Sequence, residues 1–202
     1  MALWLATQPL VLASRSAARW TMLKAAGVPV ELHPADLDER TLAANAASQR
    51  PASIAALLAK EKAAVVGRAH PGRLVLGADQ TLALGANSFT KPADRGAARE
   101  QLRALSGKRH ELHSAVAFVQ DGAVLFEHGD TARLTMRTFS DRFIDLYLDA
   151  VGEAATTSVG AYQLEGLGSQ LFERVEGDYF TILGLPLIPA LDFLRRHGCL
   201  AS

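Results

Sequence analysis

Cysteine is almost missing from this chain, with one residue, Cys199, in 202. A disulfide framework within the chain is therefore excluded, and the usage fits a reducing, cytoplasmic compartment. An excess of either charge is missing too. Lys and Arg number 21, Asp and Glu 21, and the formal net charge is zero. Without a general basic field, nucleic acid is not an expected partner. A polyanionic small ligand stays open, because its site needs only a few local cations and backbone amides. No apolar run reaches the roughly 18 residues that span a bilayer, so no membrane partner is expected. Met1 to Leu10 carry no basic n-region, and no signal peptide is read there. What is present is apolar residue, at 49 %, enough for substantial burial. The length suits a single domain over residues 1–202, built around one core or as two intimate lobes.

Apolar runs and helical periodicities alternate. Leu10 to Ala13 reads as a buried strand, followed by Ser14 and Ser16, either of which can cap the helix carrying Trp20, Leu23 and Lys24. Val28 to His33 reads as an edge strand because of Pro29. Asp36 to Gln49 reads as a polar loop with room for one helical turn. Pro51 opens a helix with an apolar stripe of Ile54, Leu58, Val65 and Val66. Leu74 to Asp79 is the clearest buried strand and is expected to end on its carboxylate. A helix over Ala93 to Leu105 comes next. Two strands, Ala115 to Val119 and Ala123 to Phe126, flank Asp121-Gly122, a strong hairpin signal. A further strand is expected over Ala132 to Met136, a helix from Ser140 to Asp149, a Gly-rich loop over Gly160 to Gly168, a strand near Tyr179 to Leu183, and a last helix from Pro186 to His197. The pattern predicts an α/β domain with a mixed, twisted sheet, and the inserted hairpin suggests two lobes with a deep central cleft.

Several familiar sites are excluded. There is no P-loop and no G-x-S-x-G elbow. Gly166-Leu167-Gly168 lacks the third glycine of a dinucleotide turn. His110 and His113, three apart on a strand, point to opposite faces and do not form a metal pair. Other residues carry more. Asp79, at the expected carboxyl end of a buried strand, stands where ligands of open α/β sheets gather, and can hold a divalent cation or take a proton. Lys62 falls on the apolar stripe of its helix, four residues after Leu58, so its ammonium either snorkels outwards or points into a cleft towards phosphate. Lys60 lies on another face and reads as solvated. Ser14-Arg15-Ser16-Ala17-Ala18-Arg19 joins a strand to a helix and offers amides, hydroxyls and guanidinium groups to an anion. Asp36, Asp38 and Glu39 form an acidic loop that becomes a hard-metal site if it meets Asp79.

Read in order, these segments resemble the Maf family. Leu12 to Arg19 is similar to its L-A-S-x-S-P-R-R opening, Asp38-Glu39 to its D-E pair, and Leu58 to Ala63 to its L-A-x-x-K-A helix. Gly77-Ala78-Asp79-Gln80 resembles G-[AS]-D-[TQ], Lys91-Pro92 its K-P, and Leu102 to Gly107 its L-R-x-L-S-G. Gly160 to Gly166 resembles G-A-Y-x-x-[QE]-G, and the stretch from Glu173 to Gly184-Leu185-Pro186 closes the match. The resemblance implies a two-lobed α/β fold akin to inosine triphosphate pyrophosphatases, acting as a homodimer. It implies hydrolysis of a nucleoside triphosphate between its α and β phosphates, with Mg²⁺, Mn²⁺ or Co²⁺. Under it, Asp79 accepts the proton and shares the metal with Glu39. Arg19, Lys62 and Lys91 grip the phosphates, with Ser14 and Ser16 beside them. It also ties substrate choice to Ala18, Gln80 and Glu165. A branch preferring dTTP and UTP has Arg, Thr and Gln at these places; a branch preferring 7-methyl-GTP has Trp, Gln and Glu. This chain agrees with the second at two of three, Ala18 standing where that branch has its tryptophan. A dTTP and UTP pyrophosphatase, and a nucleotide-sensing regulator of septum formation without catalysis, are the competing expectations.

Overall fold

A computed structural model describes residues 3–202; Met1 and Ala2, the start of the N-terminal stretch and of the single-domain span read above, lie outside the described residues. The elements run in the order β1 (Leu10–Leu12), α1 (Ala17–Ala25), β2 (Val30–Leu32), α2 (Glu39–Ala44), α3 (Pro51–Ala69), β3 (Val75–Leu84), β4 (Asn87–Phe89), α4 (Arg95–Leu105), β5 (Arg109–Gln120), β6 (Ala123–Met136), α5 (Asp141–Val151), β7 (Phe172–Glu176), α6 (Tyr179–Ile182) and α7 (Leu187–Arg196). The strands form a sheet in the order β2-β1-β3-β5-β6-β7, with β4 paired to β3. β1 runs parallel to both β2 and β3, whereas β4 and β7 pair antiparallel with their neighbours. The fold is thus α/β with a mixed sheet, and β2 is an edge strand as Pro29 requires. No helix among the described residues is long and apolar enough to cross a membrane.

The chain divides into two compact units: residues 1–80, 114–130 and 179–202, and residues 81–113 and 131–178. In the first, α1 and α7 bury Leu23, Leu194 and Phe193 against Leu10, Leu12, Leu76 and Phe118. The odd-numbered positions of the same strands, Val11, Ala13 and Val75, meet Ala63 and Val66 of α3. A period of two on the strands therefore supplies two separate cores from one sequence. In the second unit, Arg103, Arg99 and Arg95 of α4 face Asp141, Asp145 and Asp149 of α5, with closest contacts of 2.7 Å at each step. Three pairs at a spacing of four residues match one helical face to another. His110 is buried there, its Nε2 2.8 Å from the Tyr162 hydroxyl. Burial pushes its pKa down to about 4, so the ring is neutral near pH 7; His113 bonds Thr131.

Several sequence expectations are corrected. β3 does not end at Asp79 but runs to Leu84. The polar pair Gln80 and Thr81 breaks the apolar run without breaking the backbone ladder. Ala132 to Met136 is no separate strand; it is the second half of β6, which continues unbroken from Ala123. Tyr179 to Leu183 is a turn of helix and its neighbour, not a strand. An apolar run this short is ambiguous by periodicity alone, and the last strand is instead the charged Phe172–Glu176, which is buried too little to look like one. The loop over Asp36 to Gln49 holds a six-residue helix, α2, capped by Asp38. On α3 the stripe is narrower in bulk than expected. Ile54 and Val65 are only half-buried, and the face against the sheet is Ala55, Ala59, Ala63 and Gly67 with Leu58, Lys62 and Val66.

That small-residue face sets how closely α3 approaches β3. A Cβ on Gly77 would overlap the Ala59 carbonyl oxygen and lie 2.7 Å from the Ala63 nitrogen. The obstacle is helix backbone, which no side-chain rotation can clear. Gly67, on the facing helix, has more space, with Val119 Cγ1 3.5 Å from its would-be Cβ. Gly77→Ala should therefore destabilise the fold by about 2 kcal/mol or more, while Gly67→Ala should be neutral or stabilise by about 0.5–1 kcal/mol as a helix-interior glycine removed. Urea unfolding of the two variants checks this; equal midpoints would mean that α3 and β3 are not in close contact.

Candidate active site

The site begins where β1 stops. Backbone N–H groups of Val11 and Ala13 donate to the Leu74 and Leu76 carbonyls of β3. The next carbonyl in that series, Ala78, has no β1 residue opposite it. Arg19 takes the place: its Nη1 donates to the Ala78 oxygen at 2.8 Å. The same nitrogen donates to Ser14 Oγ at 3.0 Å, and Nε donates to the Gly184 carbonyl at 2.7 Å. Ser16, not Ser14, caps α1, accepting from the Arg19 amide at 3.4 Å. Ser14 is free of capping and serves the guanidinium. Arg19 is 8 % exposed, and all of these acceptors are neutral oxygens. No carboxylate among the described residues forms an ion pair with it. Burial lowers its pKa, while the fields of Asp79 and Glu39 raise it.

On one face of β3, Asp79 meets α3. Lys62 Nζ donates to Asp79 Oδ1 at 2.6 Å and lies 2.9 Å from Glu39 Oε1. Lys62 and Asp79 are both buried, at 8 % and 7 % exposure. The sequence leaves a choice between snorkelling and pointing inwards; the ammonium points inwards. Lys60 keeps a side chain 39 % exposed, 3.9 Å from Glu127, as expected of a solvated lysine. Burial pushes the Asp79 carboxyl above its ordinary value, Lys62 and Arg19 pull it back, and Glu39 adds to the push. Glu39 arrives on the first turn of α2, whose cap is Asp38. Asp38 is thus a structural member of the acidic loop, held below its ordinary pKa chiefly by the Thr41 amide.

Asp79 and Gln80 are adjacent on a strand and so turn to opposite faces. Gln80 faces α6: its Nε2 donates to Ser114 Oγ at 2.9 Å, to the Ile182 carbonyl at 2.9 Å and to the Thr181 carbonyl at 3.1 Å. Ser114, the Thr181 and Ile182 carbonyls and the Gly184 carbonyl were beyond reach of sequence reasoning. Only the Gly-Leu-Pro motif carried a signal, and backbone acceptors leave none in side-chain identity. Ala18 is half-buried on α1. Lys91, after β4, and Glu165, in the loop before β7, are exposed residues of the second unit. The first unit therefore gathers Ser14, Arg19, Glu39, Lys62, Asp79 and Gln80, with Ser16 as the cap beneath them.

Asp79 and Glu39 are the two carboxylates of this site that could hold a divalent cation. Among the described residues no three His, Cys, Asp or Glu side chains converge. The two carboxylates do converge on a cation, since the Lys62 ammonium touches both. Two hard oxygen donors, completed by a ligand's phosphates, match the habit of Mg²⁺ and Mn²⁺, so the residues fit such an ion.

The structure is an α/β fold with a mixed sheet in which two buried cations, Arg19 and Lys62, stand with the carboxylates of Asp79 and Glu39, a set of charges suited to a small anion. Comparison with known proteins narrows the class. The chain matches Maf-like protein over residues 9–197 and belongs to that family. It is 61 % identical over 201 residues, the whole of both chains, to a nucleoside triphosphate pyrophosphatase of Rhodopseudomonas palustris (strain ATCC BAA-98 / CGA009). It is 54 % identical over 190 residues to one of Paramagnetospirillum magneticum (strain ATCC 700264 / AMB-1), covering 93 % of this chain and 98 % of that one. Among solved structures, a dITP/XTP pyrophosphatase from Mycobacterium abscessus aligns over 95 % of each chain at 15 % identity and a TM-score of 0.41, too distant to bear an argument.

The paired charges make a stability prediction. Lys62→Met keeps the stem but leaves Asp79 buried without its closest cation, and should cost about 3 kcal/mol in unfolding free energy. Asp79→Asn added to Lys62→Met should restore much of that loss, because no buried charge is then left alone. A Lys62→Met variant as stable as the parent in urea would show that the pair is not an interior ion pair.

Proposed function

We propose that this protein hydrolyses nucleoside triphosphates at the bond between the α and β phosphates, releasing a monophosphate and pyrophosphate. The observation that carries the reading is Arg19, a buried guanidinium bonded only to neutral oxygens. Its charge lacks a hydrogen-bonded counter-anion, and a phosphate supplies one. The family membership and the names of the relatives support the same reaction.

The charges nearest the reaction cancel: Arg19 and Lys62 against Glu39 and Asp79. A triphosphate brought to a neutral cluster needs further positive charge. A divalent ion held by Asp79 and Glu39 would supply it, as a Lewis acid that offsets repulsion among the phosphate oxygens. Lys62, released from the two carboxylates, turns its ammonium to a phosphate oxygen. Arg19 holds the anion from the edge of β3 where β1 stops, its own position fixed by Ser14, Ala78 and Gly184. Asp79 Oδ accepts the proton of the attacking water. Lys91 joins the phosphate grip.

For the base, Gln80 and Glu165 support a preference like that for 7-methyl-GTP, while Ala18 departs from that branch and lacks the stacking surface a tryptophan would offer. The reading is tested with a panel of nucleoside triphosphates, including 7-methyl-GTP, dTTP and UTP, in the presence of Mn²⁺ or Mg²⁺. Pyrophosphate and monophosphate should form, chelation should stop the reaction, and Asp79→Asn should slow it by about 10²–10⁴-fold. Lys62→Ala should lose at least about tenfold where Lys60→Ala loses almost nothing. Orthophosphate and a diphosphate as products would refute the assigned bond, and near-normal turnover by folded Asp79→Asn would remove that residue from the mechanism.

A further inference from the structure

The carboxamide of Gln80 is not free to choose its orientation. Its nitrogen faces three oxygens, and each is an acceptor. The Thr181 and Ile182 oxygens are carbonyls. Ser114 Oγ spends its only proton on the Thr181 carbonyl, at 2.7 Å, so it too can only accept from Gln80. A flipped amide would set its oxygen against the Thr181 and Ile182 carbonyls, and would find a donor only if the Ser114 hydroxyl gave up its bond to Thr181. α6 is a single turn of helix, so its last carbonyls lack the usual partner four residues on; the Thr181 oxygen accepts from the Gly184 amide at 3.0 Å as well as from Ser114 and Gln80. Ser114 is 1 % exposed, so water does not compete for these bonds.

The three bonds of the Gln80 carboxamide are all made by its nitrogen, which leaves the amide oxygen over as an acceptor. A Cβ on Gly184 would sit 3.3 Å from Arg19 Nη2 and 3.7 Å from Gln80 Cδ, so guanidinium and carboxamide flank one glycine. Gly184 holds φ at +93°, a conformation that a side chain resists, and its carbonyl is the one that anchors Arg19.

We infer that Ser114, with the Thr181 and Ile182 carbonyls, is a positioning residue for specificity: it locks Gln80 to present an acceptor only, so the site selects a nucleobase that offers an N–H donor there. The inference rests on the nucleotide reading above and deepens it. It assigns Ser114 and α6 to base choice and gives Gln80 a direction as well as a place.

Two measurements test it. In ¹⁵N spectra of the full-length protein, the Gln80 side-chain NH₂ protons, identified by their loss in Gln80→Leu, should exchange slowly with water, and faster in Ser114→Ala. In calorimetry, four pairs of monophosphates are compared: GMP with 1-methyl-GMP, UMP with 3-methyl-UMP, AMP with N6,N6-dimethyl-AMP, and CMP with N4,N4-dimethyl-CMP. At least one unmethylated member should bind about 3- to 10-fold more tightly than its partner. That ratio should shrink towards one in both Ser114→Ala and Gln80→Leu, and in steady-state assays the Ser114→Ala loss should fall on KM rather than kcat. A ratio that survives Gln80→Leu would be steric and overturns the inference, as would equal affinities in all four pairs, no binding in any, or rapid exchange of the Gln80 amide in the parent. These monophosphate data do not depend on turnover. Absence of pyrophosphate release would defeat the hydrolysis reading, whereas pyrophosphate release without base discrimination would defeat this inference alone.

Discussion

One buried ammonium organises this site. Lys62 is held 2.6 Å from Asp79 and 2.9 Å from Glu39; Lys62 and Asp79 are buried together, whereas the Glu39 side chain is half exposed. A lone lysine or a lone carboxylate at this depth would be neutralised by a shifted pKa rather than stay charged. Together they keep charge in the interior at tolerable cost. The arrangement also stores reactivity. Anything that competes for the two carboxylates sets the ammonium free for an anion, and anything that draws the ammonium away uncovers a base already raised by burial.

The scaffold reads as the means of making that contact. Alanines and Gly67 on α3 and the bare Cα of Gly77 let helix and strand approach until Lys62 can reach Asp79. At the edge of β3, the early end of β1 leaves the Ala78 carbonyl for Arg19. The turn from Thr181 to Gly184 then fixes Arg19 and Gln80 with backbone oxygens alone. Helix against one face and turn against the other thus position two cations about a single strand.

Much of this was legible in the sequence. Lys62 on an apolar stripe, Ser16 ahead of a helix, and Asp121-Gly122 between apolar runs are local signals, and local signals survive folding. The turn at Asp121 and Gly122, with φ of 50° and 80°, is the tight hairpin expected. What was illegible depended on partners distant in the chain. Asp79 seemed to end its strand because Gln80 and Thr81 are polar; the Gln80 carboxamide is spent on Ser114 and the α6 carbonyls, not on solvent. Tyr179 to Leu183 looked like a strand because five mainly apolar residues carry no decisive period. Glu39 could be seen as an acidic residue but not as the partner of Lys62, since that pairing depends on where α2 sits. Backbone carbonyls that hold Arg19 and Gln80 have no signature in composition at all.

The central claim is that Lys62 and Asp79 act as one device rather than as two separate contributors. A double-mutant cycle in kcat/KM for pyrophosphate release, built from Lys62→Met, Asp79→Asn and their combination, measures this most directly. Groups that work as a unit are strongly non-additive, so the double variant should be little slower than the worse of the two single variants. Losses that simply multiply would mean that the two residues contribute independently, and would contradict the account.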